Sequence, residues 1–299
     1  MPNKELLSNH FSLCSKFAIE RGVKLSRSSH GEKIRYPIKR DTKKNWVLGP
    51  VGSCVDFLAT EMAMAGVMVR GLELMPLVPQ LMRIAAVEIV KKRGSKAAEP
   101  FEKFLYQDMA FEGMSERLSV NDFALLNSHT LVALWSGFET CIEDTVVLAL
   151  MNDQLTVNAV CAEIKIRGHT GGLLEERDAR SAFRSLERKA RQGKGLMDSY
   201  DWLLGLLDIK RNPCSDLGKS LAEVNALRNA IMHNAGITDQ QTLNTAPSLT
   251  LAIGDEILLT RDNIHSYYDA VTTFVKELLS GVVKSRHIRS KEELDAGDV

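Results

Sequence analysis

The chain predicts a mostly α-helical bundle with one small β-hairpin near its C-terminal end, preceded by an N-terminal helical region. Three observations carry this. Proline is scarce, 8 of 299 residues, while Leu, Ala, Glu, Lys and Arg, all good helix formers, are abundant. Apolar residues recur every three to four positions over long stretches, as in "NDFALLNSHTLVALWSGFETCIEDTVVLAL" from Asn121 onward. Only "SLTLAIGDEILLT" alternates with period two, around Gly254-Asp255, which is a hairpin signal.

In chain order, residues 4–21 read as an amphipathic helix stopped by Gly22. Residues 22–49 are basic, hold Gly and Pro and lack helical period, so they read as irregular, with room for a short strand pair. Two helices follow, separated near Pro76 and Pro79. Gly94 and Pro100 mark the next break, and a short helix reaches about Glu112. The long helix from Asn121 takes Asn121 or Asp122 as its cap. "DQLTVNAVCAEIKIRGHTGG" is a connector with a second short element. "LEERDARSAFRSLERKARQGKG" is a charged helix stopped by Gly193 and Gly195, and "LMDSYDWLLGLLDI" is a short apolar one. Pro213, Cys214 and Ser215 open the helix that Gly236 ends. "RDNIHSYYDAVTTFVKELLSGVV" is the last helix. The domains expected are 1–115, mostly helical and of unassigned role; 116–284, a helical domain; and 285–299, a flexible tail.

Composition narrows function by exclusion. Net charge is zero, so polyanion contact must come from local patches. The five cysteines are scattered, without CxxC or paired Cys/His spacing, which argues against a zinc site and fits a reducing cytoplasm. The N-terminal "MPNKELLSNHF" is too polar for a signal sequence. The most apolar short run, Met62 to Val69, is too short to span a bilayer. A soluble cytoplasmic protein without membrane contact is expected. No phosphate-loop, zincin, nucleophile-elbow or dinucleotide glycine motif is present, and no cofactor or metal is expected.

The most informative stretch is "LRNAIMHNAGITD", Leu227 to Asp239. On a helical wheel, Leu217, Leu221, Val224, Leu227 and Ile231 share one side, and Arg228 falls within that arc. Asn225, Asn229 and His233 follow at i, i+4, i+8 along a second face, beside Ala222, Ala226 and Ala230. An arginine on an apolar face cannot shed its charge and needs an acidic partner. In the long helix, Val132, Trp135, Phe138, Ile142 and Val146 form the apolar arc with Glu139 inside it. Glu139 is the expected partner of Arg228, with Glu143 and Asp144 as the next choices. The plainer alternative is an Arg228 that snorkels to the surface. His233, near a helix end, fits a cap or dipole partner as well as a catalyst.

"RNAIMH", Arg228 to His233, resembles the signature of the HEPN superfamily (higher eukaryotes and prokaryotes nucleotide-binding domain): an arginine, then a polar residue, then a histidine four to six residues after the arginine. The long earlier helix and the C-terminal "GDEILLTRDNIHSYYDAVTTFVKEL" are similar to such domains too, so the resemblance covers about Asn121 to Val283. It implies a helical bundle of HEPN type and a metal-independent endoribonuclease, homodimeric, with two motif helices meeting in one cleft. It also implies attack by a ribose 2′-hydroxyl to leave a 2′,3′-cyclic phosphate. On that resemblance His233 moves or positions a proton, Arg228 holds the phosphate and Asn229 positions. Arg228 and His233 lie about 140° apart on the wheel, so a helix edge or two protomers must collect them. Similar bacterial proteins imply a toxin or antiviral effector restrained by a regulatory protein or antitoxin. The rival reading is a non-catalytic dimerisation or adaptor module.

An RNA substrate requires basic surface. In "KIRYPIKRDTKKNW", Lys39, Arg40, Lys43, Lys44 and Trp46 combine cations with an aromatic, and these are the favoured RNA contacts. Arg177, Arg180, Arg184, Arg188 and Arg191 line one face of a later helix, but Glu175, Glu176 and Glu187 offer local pairs, so a solvated charged face is expected there. "KSRHIRSK" near the C-terminus is a third basic stretch.

Overall fold

The computed structural model describes residues 48–93, 113, 115–166, 168–211, 215–285 and 287. The helix expected at 4–21 and the short helix ending near Glu112 lie outside these residues. So does the whole basic set Lys39, Arg40, Lys43, Lys44 and Trp46. Among the described residues the chain is helical: α1 (Leu48–Leu74), a 3-10 turn (Met75–Leu77), α2 (Val78–Arg93), α3 (Ala124–Asn152), α4 (Gln154–Glu163), α5 (Glu176–Ala190), α6 (Leu196–Gly205), α7 (Ser215–His233), α8 (Gln240–Thr245) and α9 (Arg261–Lys284). A further helical segment runs through 115–119. A mostly α-helical bundle is what the scarce proline and the long three-to-four periodicity predict.

The bundle is built around α3, which packs against α1, α4, α5, α7 and α9. Trp135, Phe138, Ile142 and Val146, the arc picked out by periodicity, are all buried. Phe138 sits at the centre, with Trp135 4.9 Å, Tyr200 of α6 5.4 Å and Phe274 of α9 4.8 Å from its ring. The last two contacts are edge-on, the arrangement that aromatic quadrupoles favour. Leu203, Leu204 and Leu207 of the "LLGLL" run are core residues. Arg211, with a side chain only 2% exposed, pairs with Asp201 of α6 at 2.6 Å and Glu277 of α9 at 2.8 Å. Its guanidinium lies 4.0 Å from the Phe274 ring.

Five expectations are corrected. Asn121 and Asp122 do not cap α3. Asn121, Asp122 and Phe123 all take positive φ, 54°, 55° and 64°, forming a left-handed turn, and the cap position Phe123 makes no side-chain bond. The Asp122 carboxylate instead accepts from the backbone N–H and Nε of Arg261 at the start of α9, at 2.8 and 2.7 Å. Asn127 fastens the turn by donating to the carbonyls of Asp122 and Leu259, each at 2.7 Å.

The hairpin expected around Gly254-Asp255 forms its turn but not its ladder. Gly254 has φ +87° and the Asp255 N–H bonds the Ala252 carbonyl. The segment after the turn pairs with the loop after α7, through an isolated bridge between Ile237 and Glu256. Thr238 N–H donates to the Asp255 carbonyl, and Ile257 N–H to the Gly236 carbonyl. Local alternation marks an extended segment but not its partner, which lies about one helix away in sequence.

The boundary expected at 115–116 is crossed by packing. Pro50, Val51, Cys54 and Leu58 of α1 are buried, and α1 packs on α3 and α9, so α1 belongs to the same compact unit as the helices after residue 115. Gly137 of α3 permits the close crossing, because a Cβ there would lie 2.5 Å from the Phe57 ring. The tail, expected to be loose from residue 285, begins with a fully buried Ser285 whose hydroxyl donates to the Leu207 carbonyl at 2.6 Å.

The run Met62–Val69 also belongs to something longer than its own eight residues. Leu48–Leu77, α1 with the 3-10 turn, is long and apolar enough to cross a membrane, and its most apolar window has mean hydropathy 1.3 and is 17% buried. Its first three turns are nonetheless anchored in the bundle.

Candidate functional site

The α7 helix presents its motif as the wheel requires. Leu217, Leu221, Val224 and Leu227 are buried, and the backbone N–H of Gly236 closes the helix by reaching back to the Ala230 carbonyl at 3.0 Å. Ala235 and Gly236 both take positive φ, the conformation that terminates helices.

Arg228 neither snorkels away nor pairs with its second-choice partners. Its Nη2 lies 3.5 Å from Glu139 Oε2 on α3, the first-choice partner, and its Nη1 donates to Asn229 Oδ1 at 2.9 Å. Asn229 in turn reaches Asn225 Oδ1 at 3.5 Å. Both ends of the ion pair are part-buried, with side-chain exposures of 24% for Arg228 and 31% for Glu139. The Nε of Arg228 is buried without a partner among the described residues. Glu143 and Asp144, the next-choice partners, are taken by Arg180 of α5 at 2.8 and 3.1 Å. Burial raises the Asp144 carboxyl above the usual range, and the Arg180 charge and hydrogen bond act against that.

The structure does not bring His233 to Arg228. His233 is the last residue of α7 and exposed, and among the described residues no hydrogen bond or ion pair joins it to Arg228 or Asn229. The 140° separation on the wheel explains this: within one chain the two side chains leave α7 on different faces. Asn229 shares a network with Arg228, not with His233.

Two residues that sequence reasoning did not assign complete the surroundings. Arg191, one residue past α5, approaches Glu139 Oε1 at 3.9 Å while pairing with Glu187 at 2.6 Å. Glu139 therefore lies between two guanidinium groups, Arg228 from α7 and Arg191 from the end of α5. Tyr200 of α6 is buried, with its hydroxyl unpartnered among the described residues. Burial raises its pKa first, and the Glu139 carboxylate raises it further, while Arg191 and Arg228 pull the other way. The periodicity of α5 places Arg191 on a basic face, but no pattern within that helix could announce its approach to α3. Tyr200 reads as core in any pattern.

Elsewhere, Glu223 of α7 is buried and accepts hydrogen bonds from the hydroxyls of Tyr267, at 2.6 Å, and Ser248. This is a satisfied structural carboxylate tying α7 to α9. Among the described residues no three His, Cys, Asp or Glu side chains gather as a metal site would require. Of the third basic stretch, His287 lies 3.2 Å from the Thr156 hydroxyl and 3.5 Å from Asp153. Comparison with family models, curated proteins and solved structures finds no match for this chain.

Proposed function

We propose that the chain is a metal-independent endoribonuclease of HEPN type that works as a homodimer, used as a toxin or antiviral effector under the control of a regulatory protein or antitoxin. The observation that supports this reading is the anchored Arg228. A helix that merely needed packing would carry an aliphatic residue at this position. Here a guanidinium is held at the bundle's edge by Glu139 and Asn229, part-buried and oriented. A fixed guanidinium is suited to hold two phosphate oxygens and to offset charge as a ribose 2′-hydroxyl attacks phosphorus. His233, exposed one turn further on, carries an imidazole, the side chain most often used to move a proton in catalysis. Since Arg228 and His233 leave one helix on different faces, a complete site draws Arg228 from one protomer and His233 from its partner.

A second reading has its own observation. The Arg228 charge is already balanced by Glu139, and His233 does not touch it, as in a non-catalytic dimerisation or adaptor module.

The test is incubation of a mixed RNA pool with the protein in EDTA, comparing wild type with His233→Ala at matched folding and dimer content. Cleavage by wild type alone, leaving 2′,3′-cyclic ends, supports the ribonuclease. Equal inactivity of both proteins in vitro, and equal harmlessness of both when expressed in cells, supports the adaptor.

A further inference from the structure

We propose that the exposed arginine ridge of α5, Arg184, Arg188 and Arg191 with Arg177 at its far end, is the track that holds an RNA strand as it leaves Arg228. This rests on the ribonuclease reading and assigns its substrate-binding surface.

The ridge is defined by geometry. At ~100° per residue, Arg177, Arg184, Arg188 and Arg191 fall within an arc of about 60°, and the row runs roughly 21 Å along the helix axis. The acidic residues near it engage its last member and residues beside it, but not Arg177, Arg184 or Arg188. Glu176 pairs with Arg180, as do Glu143 and Asp144 from α3. Glu187 pairs with Arg191. Glu163 takes Lys189, which lies off the ridge. Arg177, Arg184 and Arg188 are exposed and have no ion pair among the described residues. The solvated, locally paired face expected from sequence is therefore paired on its α3 side and open on its outer side.

The ridge also has a direction. Its last member, Arg191, reaches Glu139 Oε1 at 3.9 Å, and Arg228 reaches Glu139 Oε2 at 3.5 Å. One carboxylate thus bridges the end of the ridge and the motif arginine. A phosphate has the charge sign and the oxygen geometry to take the carboxylate's place between the two guanidinium groups. With one phosphate there, the following phosphates of an extended strand pass over Arg188 and Arg184. These two stand about 6 Å apart along the axis, so successive backbone groups meet successive cations. A backbone-gripping row of this kind supplies affinity without base selection.

The experiment measures binding of a fluorescein-labelled, 2′-O-methyl oligoribonucleotide, which lacks the attacking hydroxyl, by anisotropy across a salt series. Full-length wild type is compared with Arg184→Gln/Arg188→Gln and with a charge-matched control, Lys219→Gln/Lys276→Gln, on α7 and α9. The ridge variant is expected to bind roughly five- to twenty-fold more weakly at moderate salt. The slope of log affinity against log salt should fall by about 1.4, close to 0.7 for each phosphate of a single strand that the variant no longer neutralises. The control should match wild type. Equal weakening of both variants, an unchanged ridge variant, or no binding by wild type at any salt overturns the proposal. Cleavage of unmodified RNA by wild type and not by His233→Ala judges the ribonuclease reading separately. A ridge that binds in a protein that never cuts would sink that reading and with it the ridge's role as a substrate track, leaving only an RNA-binding surface.

Discussion

On the proposed reading, Glu139 is the residue at which structure and function make opposite demands, and Glu139→Gln separates them. The carboxylate lies 3.5 Å from Arg228 and 3.9 Å from Arg191, with side chains 31%, 24% and 55% exposed. Breaking a fully buried ion pair costs about 3–5 kcal/mol, whereas exposed pairs are worth about 0.2–1 kcal/mol. The Glu139–Arg228 pair is intermediate in exposure and long for an ion pair. The Arg228 Nε is already buried without a partner among the described residues, so the arginine has little reserve. A loss of about 1–2 kcal/mol is expected, some 2–8 °C in Tm for a domain of this size. Denaturant unfolding of Glu139→Gln, Arg228→Gln and the double variant gives the coupling directly. It should be about 1 kcal/mol, because part of each single loss is the stranded partner. Binding should move the other way. Removing a carboxylate that competes with phosphate for two guanidiniums should tighten the 2′-O-methyl oligonucleotide several-fold. A coupling near zero would show that Arg228 is not held by Glu139. Weaker oligonucleotide binding by a folded Glu139→Gln protein would refute the idea that phosphate replaces the carboxylate.

The remaining predictions concern the scaffold. Arg211→Met should cost about 3 kcal/mol in denaturant unfolding, the low end for a buried pair, since Asp201 and Glu277 retain some water when the cation is removed. Gly281→Ala should destabilise by about 1–3 kcal/mol despite alanine's better helix propensity. Its Cβ would lie 2.8 Å from Ile209 Cγ2 and 3.0 Å from the Lys210 carbonyl, and the latter is backbone that cannot step aside. Asn127→Ala strands two carbonyls and should cost about 2 kcal/mol, with hydrogen exchange rising first at the start of α9. Asp239 caps α8, and the Thr242 N–H and hydroxyl hold its carboxyl below the usual range. A group whose folded pKa is lowered stabilises above its unfolded pKa and loses that effect as pH falls through the folded value. The stability difference between wild type and Asp239→Ala should therefore be full at neutral pH and vanish in acid.

What was legible in the sequence follows from the range of each force. Helices are local, and their stops are written beside them: α5, α7 and α9 end where Gly193, Gly236 and the basic tail predict. The Arg228–Glu139 pair is a long-range contact, 89 residues apart, yet it could be anticipated because both charges stand on otherwise apolar arcs, and two misplaced charges of opposite sign are each other's simplest solution. Pairings without such a mismatch were not foreseeable. Asp122 looks like a cap for the helix that follows it. It accepts from the first N–H of a helix 139 residues away instead, one that Thr260 caps, because three left-handed residues turn the chain before α3 begins. The bridge of Ile237 to Glu256 hides for the same reason: alternation reports that a segment is extended, not what it lies against.

The same limit bears on the motif itself. Spacing puts Arg228, Asn229 and His233 in six residues, and six residues of helix spread side chains over most of its circumference. Proximity in sequence then works against proximity in space, and the fold resolves it one residue at a time: Arg228 inward to α3, His233 outward at the end of α7. On the proposed ribonuclease reading, a motif of this kind is completed only by a second surface. On one side that surface is already present in the chain, where Arg191 and Arg228 share Glu139. On the other it must be supplied to His233 from outside α7. On the proposed ribonuclease reading, with the site shared between protomers, specific activity should rise with protein concentration until dimers saturate. Mixing inactive Arg228→Gln with inactive His233→Ala should restore activity in the heterodimers, which then carry one intact composite site. Failure of that mixture to cut RNA, with each variant folded and dimeric, would place both residues within one protomer and overturn the shared site.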